Sequence, residues 1–536
     1  MTAVNPVPSA SKKKSWGSAA KAYLDRRAII MLLLGFAAGI PILLIFSSLS
    51  LWLREAGVDR SVVTMFSWAA LGYSFKFIWA PLVDAVPFPI LNKLLGRRRS
   101  WILVSQVLII LAICMMASVN PISSDNLTLM AIGAVLLGFS SATQDIVVDA
   151  YRIELAPTSL QSVLSAMYTA GYRLGMIVAG AGALYLADFF GSTEAAYSYE
   201  AWRNTYFIMA AVMGVGVVTT LLIREPVSNQ VRETRQTSDY SRLVAVFALS
   251  VIGFLMVFAN FGALLPETES VLLGFLFETI HLMVSLAAAL MIGVALVKVG
   301  LVQKQVAYST WIEPIADFFR RYGKKALLLL ALIGLYRVSD IVAGVISNVF
   351  YQDMGFSKTD IANAVKLVGV IMVIAGGFLG GILAQKMRMM QAMMVGAVLA
   401  CATNLLFILL TYHPASLSYL YLAVIADNLA AGLASAVFIA FLSALTSIRF
   451  TAVQYAIFSS LMTLFPKVLG GYSGTIVDNM GYPFFFAFTF AIGLPILALI
   501  YLADKYIVIG GNDDDDDLTQ ANPLLTDTNE PPRAAE

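Results

Sequence analysis

The chain has 536 residues, of which 59% are hydrophobic and 13% charged, against roughly 45–50% and about 25% in an ordinary soluble domain. A water-soluble core cannot hold that excess, and a formal net charge of +2 gives no basic stripe for a nucleic-acid partner. His281 and His413 are its two histidines, which leaves no His-rich metal cluster and no Ser-His-Asp set.

No catalytic residue, metal or cofactor is therefore expected, and the chain is not read as an enzyme. Cys114 and Cys401 both lie inside apolar runs and read as small buried hydrophobes, with a disulfide the weaker alternative. At the start, residues 1–27 carry Lys12, Lys13, Lys14, Lys21, Arg26 and Arg27 before an apolar run without a small-residue cleavage site. They read as a cytoplasmic tail ahead of a retained first span.

Crossing about 30 Å of hydrocarbon takes about 20 helical residues. Apolar runs of that kind fall at 28–53, 61–83, 100–117, 127–148, 160–187 and 202–223, so 28–223 is expected to form a six-helix bundle. A polar linker at 224–242 leads to two additional spans, 243–265 and 271–302, within a unit at 243–302. The segment 303–325 sets Trp311, Ile312, Ile315, Phe318 and Phe319 among Glu313, Asp317, Arg320 and Arg321, the pattern of an amphipathic helix lying on a cytoplasmic surface. Runs at 326–350, 358–384, 390–410, 419–447, 453–477 and 482–502 complete a second six-helix bundle over 326–503.

The count is fourteen spans in an all-α membrane protein, so both termini share a side. The N-tail, Arg97 to Arg99, the linker, Lys324 with Lys325, and Lys386 with Arg388 all fall on one face, which basic residues mark as cytoplasmic. From 504 to 536 the chain holds Asp513 to Asp517 and several prolines, and is expected to be a disordered acidic tail.

A charge at the bilayer centre costs about 2.5–3.5 kcal/mol on insertion scales, so charges inside spans are the short list for function. They are Lys76 in the second span, Asp145 and Asp149 beside Gln144 in the fourth, and Arg173 in the fifth. Arg337 and Asp340 follow in the ninth, Lys366 in the tenth, Asp427 in the twelfth and Lys467 in the thirteenth. Helical spacing puts Asp145, Asp149 and Arg152 on one face, where Asp149 and Arg152 can pair. Asp145 is left seeking a partner on another helix. Arg173, near the midplane, can pair with it or clamp a cargo carboxylate. Arg337 and Asp340, three apart, can pair with each other. For all of these an ion pair that only fixes helix packing is the alternative.

The halves repeat a pattern. APLVD at 80–84 and GRRR at 96–99 follow the second span; Gly376, Gly377, Gly380 and Gly381 and then QKMR at 385–388 follow the corresponding span of the second half. This resembles the Gly/Asp/Arg loop of the major facilitator superfamily, with Asp84, Gly96, Arg97, Arg98 and Arg152 as candidate gating or loop residues. Further stretches, GFAAGIPIL (35–43), YSFKFIWAPLVD (73–84), GRRRSW (96–101), SSATQDIVVDAYR (140–152), GYRLGM (171–176) and 314–340, are similar to the muropeptide permeases called AmpG. The acidic tail matches no motif of that family.

The resemblance implies two six-helix bundles plus two additional helices, in a bacterial inner-membrane importer of anhydro-muropeptides, driven by protons and read as a monomer. Such a cargo offers carboxylates, amides and hydroxyls. Lys76, Arg173, Arg337 and Lys366 suit the first, Gln144, Asn428 and Gln454 the others, and Tyr172 and Tyr336 can stack on a sugar or simply pack. Asp145, Asp149 and Asp340 are the candidate proton carriers, since an Asp parted from its Arg and desolvated takes up a proton. Another cargo, such as an acyl-CoA or a peptide, would leave similar features. A sensor or scaffold is a more distant reading.

Overall fold

The computed structural model describes residues 21–507, apart from 60–61, 64–65, 67–68, 70, 193–195, 227–236, 267–270 and 471–472. The acidic tail falls almost wholly outside the described residues, as do the side chains of Lys366 and Lys467. The described chain is helical and contains no strand.

Among the described residues thirteen helices are long and apolar enough to cross a membrane. The segment expected at 61–83 is the fourteenth, and it is broken: Leu71–Phe75 is helical, Lys76–Ile78 tightens into a 3-10 turn, and Ala80–Ala85 restarts with Pro81 in its first turn. Proline there is tolerated because the first-turn N–H has no helical partner anyway. The break leaves Lys76 almost fully buried.

The packing falls into two bodies. One hydrophobic core draws on residues from Phe318 to Ile507, joined by Ile153; two others draw on residues from Ala28 to Ile223, joined by Ala452 and Ala456. The shared residues sit at the end where the basic loops cluster, called here the basic end. Small residues let helix backbones touch within each body. A Cβ at Gly35 or Gly39 would strike the carbonyls of Tyr168 and Tyr172, and one at Gly171 or Gly175 those of Leu32 and Phe36. In the second body Gly376 and Gly380 lie in the same way against Leu429 and Leu433.

The two additional helices, Thr237–Phe261 and Val271–Lys298, pair with each other and touch the rest sparingly. Leu243 and Val246, with Phe247, Val297 and Leu301 beside them, pack on Leu82, Ala85 and Val86 at the basic end. The amphipathic segment forms Lys304–Ala307, a wide π-helical turn at Tyr308–Ile312, and Glu313–Tyr322. Its Phe318 is buried against Phe458 at 5.1 Å, while Ile312, Ile315 and Phe319 stay exposed. A helix lying at the membrane interface is expected to show that division.

Candidate functional site

A cavity of about 320 Å³ lies between the two bodies, at the lower end of the usual range for a small-molecule site. Arg173 from the fifth span reaches it from one side; Arg337, Asp340, Asp427 and Asn428 reach it from the other. It extends past Ser347 to Tyr351, toward the end opposite the basic loops. Arg337 sits where the ninth span is broken, between Lys325–Leu335 and Val338–Asp353. Its Nε donates to Asp340 Oδ2 at 3.2 Å, and a second guanidinium nitrogen closes a short ion pair to the same oxygen. Asp427 accepts from the Thr403 hydroxyl at 3.1 Å.

A second polar group lies within the first body. Asp149 meets Arg152 at 3.3 Å and Lys76 at 3.9 Å. The pairing expected from spacing is therefore made, with a lysine added from the broken second span. Asp145 finds its partner on another helix: Tyr168 donates to it at 3.1 Å and Lys76 acts on it electrostatically, while Arg173, the other candidate partner, turns to the cavity. Spacing along one helix fixes a face, not the neighbour that face meets. Gln144 is fully buried, and neither its amide nitrogen nor its oxygen has a partner among the described residues. Buried amides are ordinarily satisfied by protein or by water, so water is the expected partner of this one.

At the basic end the two bodies are tied together. Arg98 is 1% exposed; it binds Glu154 through two nitrogens and Asp84 Oδ1 at 2.9 Å. The other oxygen of Asp84 accepts from Val453 N at 3.1 Å, in the first turn of Thr451–Gly470, where a helix leaves its N–H groups unpaired and its dipole favours an anion. Glu225 accepts from the backbone N–H of Arg98 at 2.7 Å and of Arg99 at 3.1 Å. Burial pushes the Glu225 carboxyl up, and those two donors pull it down. Gly96, at φ 87°, can only be glycine: besides the left-handed backbone, a Cβ would meet Glu225 at 2.5 Å. Arg97 donates to the Asp84 carbonyl at 2.9 Å.

Three more bonds cross between the bodies near this end. Arg152 donates to Ser443 at 2.9 Å, Ser162 to the Gly381 carbonyl at 3.3 Å, and Tyr23 to the Phe378 carbonyl at 2.7 Å.

The expected cargo contacts thus divide. Arg173, Arg337 and Asn428 line the cavity with Asp340; Lys76, Gln144, Asp145 and Asp149 form the separate buried group. Tyr172 lies 6.2 Å from Tyr168, ring to ring, and Tyr336 is sealed by stacking on Phe438 at 4.3 Å and donating to the Met393 carbonyl. Gln454 is far from the cavity, held at the basic end by Arg321 at 2.8 Å, the Pro314 carbonyl and Asp317. Glu154, Glu225 and Thr403 were not singled out by sequence. Glu154, two residues past Arg152 at the end of the fourth span, offered the one usable signal. Among the described residues no three His, Cys, Asp or Glu converge to hold a metal, and both cysteines are unbridged.

Helical bundles meeting around a polar cavity at mid-depth define a membrane transporter. The Major Facilitator Superfamily model matches residues 29–345, more than half the chain. The solved proton:xylose symporter XylE, bound to 6-bromo-6-deoxy-D-glucose, superimposes with a TM-score of 0.54 at 13% identity, covering 92% of this chain and 97% of its own; at that identity the fold alone is shared. The putative transporter AmpG 4 of Rickettsia felis is 30% identical over 488 residues, 91% of this chain and 99% of the relative. The anhydromuropeptide permease of Escherichia coli K12 is 29% identical over 88% of this chain and 79% of its own length. The chain belongs to the major facilitator superfamily, among its AmpG-type permeases.

Proposed function

We propose that this permease imports anhydro-muropeptides, GlcNAc-1,6-anhydro-MurNAc and its peptides, across the bacterial inner membrane into the cytoplasm in exchange for the free energy of a proton gradient. The observation that carries the reading is the cavity between the bodies, where Arg173 and Arg337 offer guanidinium groups to carboxylates and Asn428 an amide. On this reading both termini lie in the cytoplasm, and the working unit is one chain of two six-helix bundles with the inserted pair between them. The basic end is then the cytoplasmic gate, drawn closed by Asp84, Arg98 and Arg152, with the cavity reached from the periplasm. Alternating access follows if the bodies rock about the cavity and those bonds break.

Proton movement is assigned to Asp340 and Asp145, with Asp149 as a fixed countercharge between Lys76 and Arg152. Cargo that competes for Arg337 frees Asp340 from its pair, and a carboxylate parted from its cation in a low-dielectric site takes up a proton. Asp340→Asn and Asp145→Asn are each expected to abolish uphill uptake of labelled anhydro-muropeptide in proteoliposomes while sparing exchange across equal concentrations. Full proton-driven uptake by both variants would end this assignment. A panel including acyl-CoA and plain peptides separates the cargo from its alternatives.

A further inference from the structure

The charges in the central cavity are unevenly matched. Arg337 donates to Asp340 through two nitrogens, so that pair neutralises itself within one helix turn. Two charges remain, one from each body. Among the described residues Arg173 makes no ion pair; its guanidinium meets only the Met176 sulfur, at 3.9 Å. Asp427 likewise meets a hydroxyl, that of Thr403, and no cation. Both side chains line the same cavity, together with the Arg337–Asp340 pair.

A lone charge at mid-depth in a membrane is costly until something of opposite sign arrives. A carboxylate entering the cavity would satisfy Arg173 and leave Asp427 uncompensated. A neutral sugar would satisfy neither, and a proton on Asp427 would leave Arg173 as it stood. A solute carrying a carboxylate and an ammonium some way apart compensates both at once.

We propose that Arg173 and Asp427 form an amphoteric subsite, taking the carboxylate and the ammonium of one cargo end, such as a peptide residue that bears both. The inference rests on the reading of the cavity as the cargo site and narrows the cargo class within it. Asp427 is then a specificity residue.

The test uses the full-length protein in nanodiscs and two labelled probes: an anhydro-disaccharide bearing an Ala-Glu-Lys stem, and the same compound with the lysine acetylated at Nε. The wild type is expected to bind the free-ammonium probe about tenfold or more tightly, the scale of one charge-assisted hydrogen bond. Asp427→Asn is expected to bind both probes alike, Asp427→Glu to keep the preference, and Arg173→Gln to weaken both probes while keeping it. Equal binding of the probes by the wild type would overturn the subsite and leave the cargo reading standing, whereas binding of neither probe would remove both. If Asp427→Asn still discriminates but loses proton-driven accumulation, the residue carries a proton and the subsite is wrong.

Discussion

Arg98→Ala is expected to destabilise the protein by about 3–5 kcal/mol, the usual cost of removing one partner from a buried ion pair. Arg98 is 1% exposed and answers two carboxylates, Asp84 and Glu154, whose side chains are themselves 9% and 6% exposed. Without it both charges stay buried, with Arg97 only at 3.6–3.7 Å to help. Asp84 also loses the clamp that aims its second oxygen at Val453, so the tie between the bodies weakens along with the fold. Thermal unfolding of the purified protein in detergent measures the first effect. Accessibility of a cysteine introduced near Ser443 to a water-soluble thiol reagent measures the second. Arg98→Lys should recover part of the loss, since an ammonium cannot reproduce the guanidinium's fork. An unchanged midpoint in Arg98→Ala would show that the cluster contributes little.

Arg173→Gln is expected to weaken cargo binding by about 10- to 100-fold, the range for one hydrogen bond to a charged group. The substitution keeps a polar, though shorter, side chain, and no ion pair within the described protein is lost, because Arg173 makes none. Its effect on folding should therefore be small, and the change should appear in the concentration dependence of uptake. Arg337→Gln differs in kind: it leaves Asp340 without its cation, so both binding and the pH profile of uptake should shift. Equal cargo affinity in wild type and Arg173→Gln would place the carboxylate contact elsewhere.

The spans were legible because hydrocarbon thickness imposes one length and one composition on every crossing helix. The second span was the weakest, and the reason is physical: the 3-10 turn at Lys76–Ile78 and Pro81 interrupt it, and its polar Lys76 is tolerated only because Asp149 lies close by. Contacts local in sequence were also readable. Arg337 with Asp340 and Asp149 with Arg152 follow from three-residue spacing.

Contacts between distant segments were not. Glu225 meets the turn at Arg98 from 127 residues away, and Asp84 caps a helix 369 residues on. Gln454 illustrates the opposite failure: a buried amide in a span suggested cargo, but its partners are Arg321, Asp317 and Pro314 of the surface helix. That helix thereby holds the start of the thirteenth span, the same segment that Asp84 caps. Asp427 was visible as a buried charge, yet its meaning required the cavity that sets it beside Asp340.

On the proposed function, charged side chains between the two bodies bind a muropeptide and couple its passage to protons. The most direct measurement is uptake of labelled anhydro-muropeptide by vesicles holding the protein, with and without a proton gradient directed inward. Accumulation above the outside concentration is expected only with the gradient, with slow equilibration in its absence. A flat response under both conditions, from protein that remains folded, would contradict it.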